Sequence, residues 1–514
     1  MKNKELTGSS KYLNITMEKS HGIVYTSEWV INFILDSVGY INNLENKTII
    51  DPSCGDGNFM AVILDRLLRY LERENFSLDD KKKIIMRNIY GIDTDRAALE
   101  KCVDKLHMML LKHNIRDRVN FNLYNRNALD VEMNRNLFNN FDFVVGNPPY
   151  IRIQNIDKQT RTYIQNNYPL SASGSTDIYL AFFQMGENLL NKTGILGFIT
   201  PNTFFYSNAA RLFRKHLKED RAIIKIIDFN EKQLFEGITT YSAITIIGKN
   251  RNNTYFSYFS YDNELRFVDD IPFAILNDNR WVLDKVSILQ RIGEIENHGE
   301  KLGKIAEIHV GIATLADDFY IFNDVMFDEN KAVIRLKNNK KYEIEREILK
   351  PIVKVSTLKN PDDSQNRFVI FPYKLIHDKY TPIEESELQT RYPRTYSYFL
   401  SIKERLELRD RGEKISPWYA FGRTQSLNTS FGKKILVSPI GNSPRFMVWN
   451  KPDFTFYAGY CIKFNGNCEA LAQQLNSEDM KFYIEHTSRL YRGGYRSYSK
   501  SFIENFGINV SMLN

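Results

Sequence analysis

Two short stretches carry residue types that could do chemistry together. Asn147-Pro148-Pro149-Tyr150 follows the apolar run 141–145. Prolines cannot continue a sheet, so the chain must leave it here with a stiff geometry. That geometry points the Asn147 amide and the Pro148 carbonyl into one small space beside the Tyr150 ring, with Pro149 fixing the turn. Two acceptors for an –NH₂ group and one flat stacking surface suit a planar base bearing an exocyclic amine. The second stretch, IIDPSCGDGNFM (49–60), reads as a strand, a tight loop of small residues and a helix start. Asp51 ends the strand, Pro52, Ser53 and Cys54 lead the loop, and Gly55 and Gly57 let the backbone turn sharply and approach a ligand closely. Further on, YGIDTD (90–95) ends another strand with Asp93 and Thr94. A carboxylate in that place holds a ribose hydroxyl pair in dinucleotide folds. The loop is neither GxGxxG nor a GKS/T phosphate loop, so no pyrophosphate is implied. A ligand with an amino acid portion and an adenosine fits better than NAD. The bland alternatives are a tight turn in an α/β fold and a rigid turn with an incidental Asn.

These residues need a scaffold, and the pattern around them supplies one. Short apolar runs at 47–51, 88–93, 118–123, 141–147, 194–200, 223–229 and 243–248 alternate with helical patterns. The helices are expected at Phe59–Arg73, Asp95–His113, Asp177–Leu190 and Ser207–Leu217. Such alternation implies an α/β, Rossmann-like, doubly wound and mostly parallel sheet with ligands at the carboxyl ends of its strands. Arg152–Thr176 is polar without a long period and is expected to be a functional loop. Past residue 250 the alternation fades. The expected domains are 1–255, carrying both motifs, and 256–514, a mixed α+β unit.

Composition bounds the rest. A length of 514 residues allows two to four domains. With 43% hydrophobic and 25% charged residues the chain is globular, not disordered. Cys54, Cys102, Cys461 and Cys468 are too scattered for a disulfide framework or a CxxC zinc site, which fits a reducing cytoplasm. The start has no apolar signal region and no stretch approaches the length of a membrane span, so a soluble intracellular protein is expected. No histidine, His21, His107, His113 and His216 included, stands at ligand spacing, and no metal is expected. The net charge of +7 is spread evenly between the halves, but residues 391–445 hold eleven basic against four acidic side chains. Residues 481–500 add five against one, and both stretches are rich in aromatics. That mixture suits a surface meeting phosphates and bases, though a solvated face over an aromatic core reads the same way.

Taken together, the motifs resemble those of the S-adenosylmethionine-dependent amino-DNA methyltransferases of restriction–modification systems. The order of elements (cofactor loop, then NPPY, then a large C-terminal region) is similar to the γ class of adenine-N6 enzymes. The resemblance spans roughly residues 20–250. HGIVYTSEWV (21–30) looks like the family's N-terminal segment beside the cofactor, IIDPSCGDG its methionine-end loop and Asp93 its ribose carboxylate. DIYLAFFQMGENLL (177–190), GILGFITPNTFF (194–205) and QLFEGITTYSAITII (233–247) look like later segments of the same domain. Weaker likenesses continue in GIATLADDFYIF (311–322) and WYAFGRTQS (418–426).

The resemblance implies a class I methyltransferase fold followed by a target-recognition domain, with S-adenosylmethionine as cofactor and S-adenosylhomocysteine as product. Cofactor contacts are then expected from Tyr25, Thr26, Asp51, Pro52, Ser53, Cys54, Gly55, Gly57, Asp93, Thr94, Asn127, Ala128 and Asn147. One departure stands out. Where the family often has an acidic residue against the cofactor's adenine, NRNALD (125–130) offers Asn127, with Asp130 as a rival. Asn147, Pro148, Pro149, Tyr150 and Phe235 are the expected catalytic and base-stacking residues. Arg423, Arg492 and Arg496 are the expected contacts to double-stranded DNA. The same motif permits N4 of cytosine, and related motifs serve RNA and release-factor glutamine methyltransferases. The large basic, aromatic C-terminal region favours DNA. A monomer is expected, with any restriction endonuclease a separate protein.

Overall fold

The structure, a computed structural model, describes residues 26–172, 176–230, 241–249, 252–361, 363, 366–412, 415–491 and 493–513. Two compact units divide it, Met1–Leu289 and Gln290–Asn514.

The first unit is built on a nine-stranded sheet. In chain order its elements are α1 (Glu28–Val38), β1 (Ile49–Asp51), α2 (Asn58–Arg73), α3 (Leu78–Asn88), β2 (Ile89–Asp93) and α4 (Arg96–Lys112). Then come β3 (Asn122–Asn125), α5 (Val131–Asn134), β4 (Phe141–Gly146), α6 (Lys158–Asn167), α7 (Tyr179–Leu189) and β5 (Leu190–Pro201). The series ends with α8 (Arg211–Glu219), β6 (Ile223–Asp228), β7 (Ser242–Gly248), β8 (Tyr255–Asp262) and β9 (Glu264–Pro272). The strands lie in the order β3-β2-β1-β4-β5-β7-β6-β8-β9. β7 runs antiparallel between β5 and β6, and β9 antiparallel to β8. The other pairings are parallel, as expected from the alternation.

Apolar spacing explains the layering. α2 buries Met60, Ile63, Leu64, Leu67, Leu68 and Leu71, a stripe at three- and four-residue intervals, in one core with residues of α1 and α4. On the other side of the sheet α7 and α8 pack a second core around Phe183, Phe198, Phe204 and Phe213. β1, buried along its whole length, is held between β2 and β4. The strand order reverses at β1, which opens a crevice at the carboxyl ends of β1 and β4.

Two expectations are corrected here. The stretch 152–176 is not one loop. Its described part holds a 3-10 turn at Ile153–Asn155, then α6, then a second turn at Pro169–Ser171. Asp157 caps α6 by accepting from the amides of Gln159 and Thr160, but only Thr160 and Ile164 are buried, so the apolar period is too thin to read. The domain boundary also moves. A division at 255/256 would fall at the start of β8, inside the sheet. The chain beyond it is tied back by the buried guanidinium of Arg214, which donates to the carbonyls of Phe204, Ser207, Asp278 and Asn279. The Trp281 amide adds a bond to the Phe205 carbonyl at 2.6 Å.

The second unit is α+β, as expected. Its main sheets join Glu307–Val310, Tyr460–Lys463, Lys434–Val437 and Phe446–Trp449 in one antiparallel set. Ile321–Asn323, Arg367–Ile370, Leu349–Lys354 and Thr455–Tyr457 form a mixed sheet, in which only the last pair is parallel. An aromatic core of Tyr320, Phe371, Tyr398, Phe399 and Phe421 lies among its helices and strands.

Candidate active site

A cavity of about 380 Å³ opens at the crevice. Its floor is the loop after β1. The Cys54 amide donates to the Ile92 carbonyl at 3.0 Å, pinning the loop to the end of β2. The Gly57 amide closes the turn on the Cys54 carbonyl at 2.9 Å. Gly57 begins α2 at φ 88°, and a Cβ there would lie 2.5 Å from the Cys102 sulfur, so only glycine fits. Hydrogen bonding with Cys102, then burial and nearby Asp51, hold the Cys54 thiol well above its ordinary range. It packs as a protonated wall atom, not a nucleophile.

Two carboxylates face this cavity. Asp51 is buried, and its Oδ1 accepts from the Ser53 amide at 3.0 Å. Gly146 gives it room, since a Cβ there would stand 2.6 Å from that same oxygen. Burial, reinforced by neighbouring Asp93, pushes the Asp51 carboxyl up to about 7. Asp93 accepts from the Gly55 amide through Oδ2 at 2.8 Å and from the Asp95 amide through Oδ1 at 2.9 Å. Burial raises its pKa as well. The carboxylate's remaining lone-pair capacity can accept from a ligand hydroxyl.

Beside this acidic floor stands the amide. Asn147 follows β4, and its backbone carbonyl accepts from Ser53 Oγ at 3.4 Å, so loop and turn are tied. Its Nδ2 donates to Thr26 Oγ1 at 3.0 Å, and Oδ1 is buried without a hydrogen-bond partner among the described residues. Because Asn147 also lines the cavity, this free acceptor is placed to take a ligand donor.

The expected residues fall into three groups. Thr26, Asp51, Pro52, Ser53, Cys54, Gly55, Asp93, Thr94, Asn127, Ala128, Asn147 and Pro149 all line the cavity. Gly57, Pro148 and Tyr150 are close in sequence but are not part of the lining. Tyr150 packs on the core beneath α1 and donates its hydroxyl to the Ile199 carbonyl at 3.3 Å, while burial raises its pKa. Tyr25, Phe235 and Arg492 lie outside the described residues. Of the two rivals expected against the cofactor's adenine, Asn127 lines the cavity, with its Oδ1 accepting from the Leu129 amide at 2.7 Å. Asp130 instead caps α5 by accepting from the Met133 amide at 3.0 Å. Ile178 and Phe182 also line the cavity. They were not singled out from the sequence, because their i, i+4 spacing reads as an ordinary core face.

In the second unit Arg423 forms an ion pair with Asp410, and its amide donates to the Ala313 carbonyl at 3.1 Å. Arg496 donates to the Ser488 carbonyl at 3.2 Å. Among the described residues, no helix is long and apolar enough to cross a membrane, and no group of three or more His, Cys, Asp or Glu could hold a metal ion.

A doubly wound sheet of this strand order, with an acidic switch-point cavity and an amide turn beside it, is the Rossmann-like fold of class I methyltransferases, here followed by an α+β unit. Residues 87–235 match the Eco57I restriction-modification methylase family model, which bears out the resemblance read from the motifs. The chain is 26% identical over 490 residues to the type II restriction enzyme and methyltransferase RM.Eco57I of Escherichia coli, covering 81% of this chain and 48% of that protein. It is 24% identical to the type II methyltransferase M.BstVI of Geobacillus stearothermophilus, covering 94% of this chain and 89% of the relative. It thus spans about half of the first protein and most of the second. Its fold is similar to that of the type IIL restriction-modification enzyme MmeI solved with DNA, with a TM-score of 0.60 at 15% identity, covering 93% of this chain and 66% of that one.

Proposed function

We propose that this chain is a DNA methyltransferase of a restriction–modification system, acting on the N6 amine of an adenine turned out of the duplex. The observation that carries the reading is the Asn147 oxygen, buried and without a partner among the described residues, beside an acidic cavity sized for a nucleoside with an amino acid arm. S-adenosylmethionine, when bound there, supplies a methyl group activated by its sulfonium.

The residues of the chain do the rest. Asp93 holds the ribose hydroxyls, and Asp51 places negative charge where the cofactor is cationic. Asn147 Oδ1 and the Pro148 carbonyl accept the two N–H bonds of the target amine. Its lone pair is thereby drawn out of conjugation with the ring, and positive charge developing on nitrogen is stabilised. Neither acceptor has to be a strong base. The base must leave the stack to reach this site, and Tyr150 is its stacking partner, with Phe235 expected opposite. Asn127 presents an amide where the cofactor's adenine would lie.

The second unit carries target recognition, with Arg423, Arg492 and Arg496 as DNA contacts. Arg423 reaches DNA by exchanging an exposed ion pair, which costs little. On this reading the cognate endonuclease is a separate partner. The enzyme works as a monomer in the cytoplasm.

The deciding experiment offers duplex DNA, tRNA and release factor with methyl-labelled S-adenosylmethionine, then digests labelled DNA to nucleosides. Label in N6-methyladenine is expected. N4-methylcytosine would move the specificity to the other amine, and label only in RNA or protein would overturn the reading.

Acid also has a definite effect. Asp51, at about 7 in the folded protein, is largely protonated at pH 6 and must lose that proton to meet a cationic cofactor. Cofactor affinity is therefore expected to rise with pH through about 7 and then level off, with a proton released on binding. The sign for the free protein is opposite. Its raised pKa gives stability that is full below the unfolded value near 3.8 and is lost as pH rises through about 7. Calorimetry in buffers of different ionisation enthalpy measures both, and a pH-independent affinity would refute the role of Asp51.

A further inference from the structure

An amide side chain has two orientations related by a half-turn, nearly identical in shape and opposite in hydrogen bonding. The reading above needs Asn147 Oδ1, not Nδ2, turned to the target amine, because Nδ2 would set donors against donors. We propose that Thr26 is a positioning residue that selects this orientation, and that the bound cofactor commits it to the task through the Thr26 hydroxyl proton. The inference rests on the methyl-transfer reading of the same site.

Thr26 Oγ1 lies 3.0 Å from Asn147 Nδ2, and Thr26 is only 3% exposed. A hydroxyl has one proton and two lone pairs, so it could serve either orientation: accepting from Nδ2, or donating to Oδ1. Which it does depends on where its proton goes. Thr26 also lines the cofactor cavity, and no hydrogen bond within the described residues takes its proton. An acceptor of the bound cofactor, of which the carboxylate is the strongest, therefore claims it. The hydroxyl is then left with lone pairs alone, and the amide must turn Nδ2 toward it and Oδ1 away. The hydroxyl itself is held in place. Ser27 starts α1, and the buried Val30, Ile31, Ile34 and Leu35 lock that helix to the core. The Asn147 backbone is fixed separately through Ser53. Cofactor occupancy thus prepares the acceptor for the target base.

Thr26→Val keeps the shape and removes the hydroxyl, whereas Thr26→Ser keeps the hydroxyl. Single-turnover methyl transfer to the wild-type enzyme's own substrate, at saturating cofactor, is expected to fall about tenfold or more in Thr26→Val. It should return to within about threefold of wild type in Thr26→Ser. Calorimetry supplies a readout apart from activity: cofactor affinity should weaken in Thr26→Val and recover in Thr26→Ser. In an Asn147→Ala background, Thr26→Val should lower transfer no further, since the two act as one unit. Wild-type transfer by Thr26→Val, unchanged cofactor affinity, or an additive loss in the double variant would each overturn the proposal. If Thr26→Val fails to fold, the proposal stands or falls on Thr26→Ser and Thr26→Ala by the same measurements. A wild-type enzyme that labels no nucleic acid would instead refute the methyl-transfer reading, and the affinity series would still test the hydroxyl.

Discussion

Replacing Asn147 by Ala is expected to lower the methyl-transfer rate by roughly 10²–10³ while leaving cofactor affinity nearly intact. The asymmetry follows from where its atoms stand. The carbonyl that receives Ser53 Oγ belongs to the backbone and survives the change, so the cofactor loop keeps its tie. What is lost is Oδ1, the buried acceptor without a partner among the described residues, which on the proposed mechanism acts when the target amine arrives. Its contribution is made to the transition state, where positive charge gathers on nitrogen, so the loss should appear in the rate constant at saturating substrate. Single-turnover transfer gives that rate, and calorimetry gives the affinity. Near wild-type transfer by the variant would rule out the acceptor role.

The Asp93→Ala variant should show the reverse pattern, with cofactor affinity weakened by about 1–3 kcal/mol and the rate at saturation little changed. Asp93→Asn should be no milder. Both oxygens are engaged, one by the Gly55 amide and one by the Asp95 amide, so an asparagine would turn its –NH₂ against one of these donors. The carboxylate therefore shapes the loop in addition to the ribose contact proposed for it. Unchanged affinity in both variants would remove Asp93 from the cofactor site.

The sequence carried more of this site than of its surroundings. Asp51, Asp93 and Asn147 each end a buried strand, and a polar residue at such a point is legible from pattern alone. Their mutual placement followed from strand–helix alternation, which leaves few topologies open. Less legible were features made by tertiary contact. Thr26 and Asn147 stand 121 residues apart, and nothing local pairs them. Phe182 reads as a core residue because it is one, on a helix whose end happens to border the cavity. Asp130 and Asn127 could not be separated without seeing that one spends its carboxylate on a helix cap. The domain boundary was set too early because β8 and β9 are half-exposed, polar-aromatic strands without the apolar run of a buried one.

The contact between Gly146 and Asp51 has a consequence for how this lineage can vary. Position 146 belongs to the strand that leads to the proposed acceptor amide, yet the atom a side chain would strike belongs to the carboxylate proposed to face the cofactor. One codon therefore answers to both substrates. A methyl group there would displace Asp51 or push the strand and Asn147 off line. Neither fault could be repaired by a change at the other residue alone. Even alanine at 146 therefore couples the two halves of the site, because accommodating it moves a carboxylate on one strand or the backbone of another.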